Sequence, residues 1–505
     1  MADKIFVWLG NDYTHYCLSH ALQEKIDCEL YGITEITSRP KEFFENQKII
    51  DFKKIWFFHD HIQMKKSNPD LEYLSKFEEK YKIELWKLVL NERIFLYFKE
   101  FHDFSYKEIL NILEQECRLF ESILDKVKPD ILLTKLPSLH HQELFYEMCK
   151  NTGVKVLALN YTILGKHSMI SKEQSRLDFI EELDDIEEGQ NKDWDQLQKK
   201  IKEFDLTHSL KNKVIKSDSG KKESAMALKD FLFNFDSNNI KTHYTYYGRT
   251  KTKVLLNYFK EFIKTKYRKR FINNNLLKEI KFSNPFIYYP LHMEMERALL
   301  ISAPFYTNQI EIIKNIAKSL PINYRLIVKE HPAQVKRSWR SISKYKEIME
   351  IPNIILLHPD FSNDILYKNS QATITISGSA GFEASAYGKP VITFVDTNYS
   401  ILPTVHTLND IKELPQLIKK IIFQKCVPSH FEAFINLLQK NISQFDWPEF
   451  LLKIDNEFFY GGNFHDVKIS EEKMKKFLKE NKKVLSNFAE EHVNKIKLYK
   501  ANNKI

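Results

Sequence analysis

Cysteine is scarce and unpatterned in this chain of 505 residues: Cys17, Cys28, Cys117, Cys149 and Cys426 are odd in number and form no CxxC pair. That argues against both a disulfide framework and a zinc site, and leaves reduced thiols that serve packing. No apolar run approaches the ~18 residues of a membrane span, and no leader joins a basic start to an apolar stretch and a small-residue cleavage site. A cytoplasmic protein is therefore expected. No internal repeat recurs at a period of roughly 20 to 50 residues, which argues against a solenoid or propeller. What is present is a globular balance of 43% hydrophobic and 28% charged residues, in a chain too long for one compact core. Two or three domains are expected.

The formal charge of +9 is modest but unevenly spread. KTKVLLNYFKEFIKTKYRKRF, residues 251–271, sets Lys and Arg around Leu255, Leu256, Tyr258, Phe259, Phe262, Ile263 and Tyr267 at close to helical spacing. Such a helix can lie on an anionic membrane surface. It can equally be a solvated helix whose apolar stripe packs on its own domain. No RNA- or DNA-binding motif accompanies the charge, so a nucleic-acid partner is not expected.

Along the chain, KIFVWLGNDYTHYCLSHALQEKIDCELYGI, KIWFFHDHI and KPDILLTKLPSLHHQELFYEMCKNTGVKVLALN read as strands alternating with helices, the pattern of a parallel sheet covered on both faces. They define a first domain over 1–165. Residues 166–281 are long, polar and helical in period, a helical insertion and connector. The acidic run around Asp184 and Asp185 within it reads as a solvated helix face, not a metal site. Alternation resumes with NPFIYYPLH, NYRLIVKEHP, NIILLHP, QATITIS and KPVITF, a second doubly wound domain over 282–424. The remainder, 425–505, is Lys-rich and helical, and part of it is expected to brace the first domain.

Ligands of open parallel sheets sit beyond the carboxyl ends of the strands. In the second domain each such end is polar: His292, Glu294, Glu296 and Arg297 after FIYYPL; Lys329, Glu330, His331 and Pro332 after YRLIV; Ser377, Gly378, Ser379, Ala380 and Gly381 after ATITI. Three clusters at one edge imply one pocket. A turn of small residues entering a helix lets backbone N–H groups approach an anion, and the two serines add donors. Glu383, one turn further, is placed to accept from sugar or ribose hydroxyls. The competing reading is that the glycines only permit a tight turn, with Glu383 a helix N-terminal charge. An imidazole held by the following proline can donate to a phosphate oxygen, and Lys329 adds charge.

These residues, with NQIEIIKNIAKSLP and the later Tyr399, Leu402 and Pro403, resemble the capsule and surface polysaccharide biosynthesis proteins, relatives of the Kdo transferases and of GT-B glycosyltransferases. The family pattern usually carries threonines in the small-residue turn and a tryptophan where Phe382 stands. The resemblance implies an α/β, GT-B-like fold: two Rossmann-like domains facing a cleft, with a helical connector and C-terminal helices. It also implies that His331 and the serine turn hold the phosphate of a nucleotide-sugar donor. A CMP-linked acidic sugar is favoured, because cytidine-nucleotide users share the His-Pro motif.

The first domain is then expected to bind a glycan or lipid-linked glycan acceptor. It would supply a base for the acceptor hydroxyl, or a carboxylate nucleophile. Asp12, in the GNDYTH turn, is the first candidate; Asp60 and the cluster His140, His141, Glu143 are rivals, and each can instead be a helix cap or surface polar group. No cofactor and no metal is expected, since Lys329, His331 and the helix terminus neutralise the leaving phosphate. Two alternatives stay open: transfer of a phosphopolyol from a CDP donor, and a non-catalytic scaffold in polysaccharide assembly.

Overall fold

A computed structural model describes residues 2–64, 67–173, 176–178, 193–203, 221–234 and 239–502. Asp184 and Asp185 lie outside the described residues. The chain divides into two compact units: residues 1–173, 205–254 and 442–505 form the first, and 174–204 with 255–441 the second. Residues 166–281 are divided between the two units.

The first unit is built on β1 (Asp3–Leu9), β2 (Cys28–Thr34), β3 (Phe52–Phe57), β4 (Ile131–Lys135), β5 (Lys155–Tyr161) and β6 (Ser168–Ser171); the second on β7 (Phe286–Pro290), β8 (Arg325–Lys329), β9 (Ile354–Leu357), β10 (Ala372–Thr375), β11 (Val391–Thr393) and β12 (Val405–Thr407). A last strand, β13 (Ile442–Ser443), pairs antiparallel with β6 at the edge of the first sheet. β6, β12 and β13 are not among the strands expected from sequence, since SMIS, VHT and IS carry no apolar run like those of the other strands.

Strand order in the first sheet is β13-β6-β5-β4-β1-β2-β3 and in the second β12-β11-β10-β7-β8-β9. The second sheet is parallel throughout, and the first is parallel from β5 to β3. Both follow the doubly wound pattern, with the first strand beside the fourth. The chain winds outward in opposite directions from β1 and β4, and again from β7 and β10. Those two places are the topological switch points at which such sheets bind ligands.

β1 shows how the sequence sets the layers. Its alternating side chains send Ile5, Val7 and Leu9 to one face and Phe6 and Trp8 to the other, all buried. The first set meets the helix Thr14–Gln23 and the C-terminal helices, where Phe445 stacks on Phe488 with centroids 3.8 Å apart. The second set meets Phe120 and Phe145 from the helices Tyr106–Val127 and His140–Asn151. Ser105 and Glu108 form a capping box that starts the longer of these two. Burying one such aromatic side chain is worth about 1.5–3 kcal/mol, so the returning C-terminal segment is integral to the first core.

Candidate functional site

In the second unit the polar ends of β7, β8 and β10 lie on neighbouring strands. His292 follows β7. Its backbone N–H donates to Gln309 Oε1 at 2.7 Å, and Gln309 Nε2 returns a bond to the His292 carbonyl at 3.1 Å. Clamped in this way, the ring accepts at Nε2 from the Ser377 N–H at 3.3 Å and contacts Thr375 Oγ1 at 3.2 Å. Burial pushes the His292 imidazole down to about 3, so it is neutral and able to accept. The turn rests on this ring: a Cβ at Gly378 would lie 3.0 Å from Nε2.

From the other side Tyr399 Oη donates to the Gly378 carbonyl at 2.5 Å and presses on Gly381. The two glycines therefore admit the protein's own side chains, His292 and Tyr399. Their small size is accounted for before any ligand is invoked. Ser377 Oγ turns inward to the Ala298 carbonyl at 3.1 Å, whereas Ser379 is exposed at the start of the helix Ser379–Ser385, with Ala380 beside it. Ser379 Oγ donates to Glu383 Oε1 at 3.3 Å, and Tyr367 Oη donates to Glu383 Oε2 at 3.1 Å.

At the end of β8, Glu330 is buried. It accepts from Arg340 Nε at 2.8 Å, from Tyr345 Oη at 2.7 Å and from the His331 N–H. Arg340 also bonds the His292 carbonyl and pairs with Glu294 at 3.1 Å; Lys344 reaches Glu294 at 2.6 Å. Burial works to raise the Glu294 carboxyl, but Arg340 and Lys344 bring it below the usual range. His292, Glu294 and Glu330 thus brace the loops that carry His331 and the turn.

His331 itself is half-buried. Its Nδ1 accepts the Ala333 N–H at 3.2 Å as it caps the 3₁₀ turn Pro332–Arg337, which leaves Nε2 as the protonated nitrogen of the neutral ring. Lys329 is buried and its Nζ bonds Asn363 Oδ1, which Tyr288 Oη also approaches at 3.4 Å; the Tyr288 ring meets Tyr367, the partner of Glu383. One connected network therefore joins Lys329 to Glu383, and a second joins Glu330, Glu294, His292 and the turn. Arg340, Gln309, Asn363 and Tyr367 were not singled out from sequence, because each lies in an ordinary loop or helix with no local signal.

In the first unit a cavity of about 390 Å³ opens at the carboxyl ends of β1, β2 and β4, lined in part by Tyr13, Glu35, His59, Lys135 and Arg249. Asp12 does not line it but bonds a residue that does: Oδ2 accepts from Lys135 Nζ at 2.8 Å, and Oδ1 accepts from the Thr14 N–H at 3.1 Å. Burial opposes ionisation of Asp12, but Lys135 overcomes it and holds the carboxyl below its usual range. Glu35, absent from the sequence candidates, is one of two carboxylates on the cavity wall, with Asp466; His141 Nε2 bonds it at 3.0 Å, and Trp8 Nε1 and Gln142 Nε2 also donate to it. It is held at about 2, burial being outweighed by His141 and Lys135. Nothing in its surroundings in sequence marks it.

The remaining candidates scatter. His140 is buried between Glu92 Oε2 at 3.0 Å and Glu116 Oε2 at 3.0 Å; burial would depress it, but the two carboxylates raise it to about 10, so it is an internal imidazolium. It does not line the cavity. His141 is fully buried too and reaches the cavity only through Glu35. Glu143 is half-buried one turn along the same helix, where its charge acts on Lys150. Asp60 is exposed and paired with Lys41 at 2.6 Å. Glu116, His140 and His141 offer ligand atoms within 4.8 Å of one another. Both nitrogens of His140 face carboxylates, however, and Tyr244 Oη bridges Glu116 and His141 at 3.1 and 3.0 Å, so a proton-bearing network already satisfies the group.

Two doubly wound sheets, each with polar residues gathered at its switch point, define a mixed α/β protein of two parallel-sheet domains. Residues 196–436 match the family model described as capsule polysaccharide biosynthesis protein, which bears out the resemblance read from the motifs. Solved structures similar to this chain include the UDP-GlcNAc 2-epimerase from Methanocaldococcus jannaschii, with 12% identity over 86% of this chain and 99% of that chain at a TM-score of 0.24. Another is the Thermosulfurimonas dismutans KpsC beta Kdo 2,7 transferase, with 14% identity over 71% of this chain and 97% of that chain at a TM-score of 0.28. A comparison with curated proteins gives no match.

Proposed function

We propose that the protein is a glycosyltransferase of surface polysaccharide synthesis, moving a sugar from a nucleotide-sugar donor to a glycan or lipid-linked glycan acceptor. The observation that carries this reading is that the family match over 196–436 contains the whole polar set at the ends of β7, β8 and β10. In this reading His331 Nε2–H and the exposed Ser379 hydroxyl meet the donor phosphate, Lys329 supplies positive potential from below, and Glu383 takes a sugar or ribose hydroxyl. A CMP-linked acidic sugar is the favoured donor. The leaving phosphate is neutralised by these groups without a divalent ion. The first unit holds the acceptor.

The reaction belongs at the cytoplasmic face of the membrane in this proposal. Among the described residues no helix is long and apolar enough to cross a membrane. The helix Lys251–Asn275 supports surface attachment: Ile272 and Phe271 anchor its last turns in the second core, whereas Leu256, Tyr258 and Phe259 further back are 69%, 76% and 63% exposed. The deciding experiment is incubation of the full chain with CMP-, UDP- and GDP-linked sugars and a capsular oligosaccharide, with product masses read with and without a chelator. Mass gain of one sugar, insensitive to chelation, is expected. Transfer of a phosphopolyol, or activity restored only by a divalent ion, would replace the reading.

A further inference from the structure

The cavity of the first unit has features that the donor chemistry leaves unused. Three polar atoms of its lining residues, Tyr13 Oη, His59 Nδ1 and Thr245 Oγ1, are buried without a hydrogen-bond partner among the described residues. Tyr13 and His59 are only 1% and 5% exposed, so bulk water does not serve them. Tyr13 also holds φ at 54°, left-handed backbone that a bulky side chain rarely adopts. Its ring stacks on Phe44 at 5.3 Å and on Phe458 at 6.3 Å. Phenylalanine would fill that space equally well, so packing does not explain the hydroxyl.

Several charges of the wall are met by partners, and Arg93 donates to the Ser138 carbonyl at 2.6 Å. Lys135 is paired with Asp12, Glu35 is bound by His141, and Asp466 is met by Arg39 at 3.5 Å. Arg249 has no carboxylate at ion-pair distance among the described residues. Its guanidinium lies over Phe101 at 5.1 Å and Phe98 at 5.7 Å, which orients it without neutralising it. The volume, about 390 Å³, falls within the roughly 300–1,000 Å³ of small-ligand pockets.

We infer that this cavity binds a polyhydroxylated ligand carrying one anionic group, the anion on Arg249 and ligand hydroxyls on Tyr13 Oη, His59 Nδ1 and Thr245 Oγ1. A guanidinium fork suits a carboxylate or a phosphate, so a sugar acid and a sugar phosphate share the required chemistry. That this ligand is the acceptor, an acidic sugar residue of the growing glycan, rests on the transferase reading. The binding itself does not.

Saturation-transfer NMR on the full-length protein, with D-glucuronate, glucose 6-phosphate and glucose as probes at equal concentration, tests the site. At least fivefold stronger transfer to one anionic probe than to glucose is expected, and which probe responds separates carboxylate from phosphate. Arg249→Gln should erase that preference, and Tyr13→Phe, which keeps the ring, should weaken the favoured signal at least threefold. Equal transfer to glucose, silence from both anions, or a preference that survives in a folded Arg249→Gln protein would overturn the assignment. Should Arg249→Gln not fold, unchanged binding by Tyr13→Phe overturns it alone. CMP titration of the same samples keeps the two readings apart: sugar binding without nucleotide binding removes the transferase reading only, and the reverse removes this cavity's role only.

Discussion

Tyr399 and Gly381 touch so closely that a Cβ at position 381 would lie 2.6 Å from Tyr399 Oη. The tyrosine cannot retreat freely, because the same hydroxyl is bonded to the Gly378 carbonyl. Gly381→Ala should therefore destabilise the second unit by about 1–3 kcal/mol, the usual range for overpacking. Thermal unfolding reads this directly. Trimming the opposing ring in a Gly381→Ala/Tyr399→Leu double variant should recover part of the loss, and strictly additive effects would show that the contact is not the cause.

Arg340 is joined to Glu330 and Glu294 with almost no exposure to solvent, and it holds the His292 carbonyl as well. Removing one partner of a buried pair strands the other, which costs about 3–5 kcal/mol. Arg340→Met should lower stability by that order in urea unfolding. It should also weaken nucleotide binding, because His331 and the turn are both hung from this group. Full stability with normal binding would show that Glu330 tolerates isolation.

How much of this was legible follows from range in sequence. The parallel strands β1–β5 and β7–β11 announce themselves as short apolar runs, whereas β6, β12 and β13 do not, and the polar residues that follow β7, β8 and β10 are legible as strand ends without coordinates. What could not be read is which way each polar group faces. His292, Glu294 and Glu330 looked like ligands of the donor because they stand at strand ends, yet Arg340, remote in sequence, turns them into a brace. Glu35 was missed for the complementary reason: its role depends on His141, 106 positions away. From sequence the glycines of the turn read either as an approach to a ligand or as a tight turn, and the structure adds a third reason, the close contacts of Tyr399 and His292.

His331 and Glu383 stand at the outer ends of the two strand-end networks. The His331 ring accepts the Ala333 N–H, and the Glu383 carboxylate accepts from the exposed Ser379 hydroxyl and from the buried Tyr367 hydroxyl. His331→Ala and Glu383→Ala should each reduce affinity for the donor nucleotide at least tenfold in calorimetry, with circular dichroism unchanged. Unaltered nucleotide affinity in both would remove the donor assignment.

The His140 imidazolium makes a signed prediction about alkaline pH. The groups that face it are Glu92, Glu116, Tyr244 and, across the adjoining ring, His141. Its value is raised to about 10 in the fold against about 6.5 in the unfolded chain, so the folded state binds the extra proton between those limits. The stabilisation is complete below pH 6.5 and declines as pH rises toward 10. The gap in melting temperature between the native chain and His140→Asn should therefore shrink steadily from pH 6 to pH 9.5. A gap independent of pH would mean that His140 is neutral in the fold.

The exposed apolar face of the helix Lys251–Asn275 gives the last test. Over residues 251–271 it carries eight Lys and Arg against a single Glu261, while Arg268 ties the helix to the Ser338 and Trp339 carbonyls at 3.0 and 2.9 Å. Each basic residue near an anionic bilayer contributes about 1 kcal/mol, and Phe or Tyr buried at the interface adds to that. Pelleting with vesicles containing phosphatidylglycerol should exceed pelleting with pure phosphatidylcholine and should fall at high salt. Phe259→Glu/Phe262→Glu removes the apolar component and Lys260→Gln/Lys264→Gln the ionic one, and neither pair touches the strand-end cluster. Loss in both variants, with unchanged nucleotide binding, is the signature of a membrane dock, whereas pelleting indifferent to lipid charge and to all four substitutions would assign the exposed face to another partner.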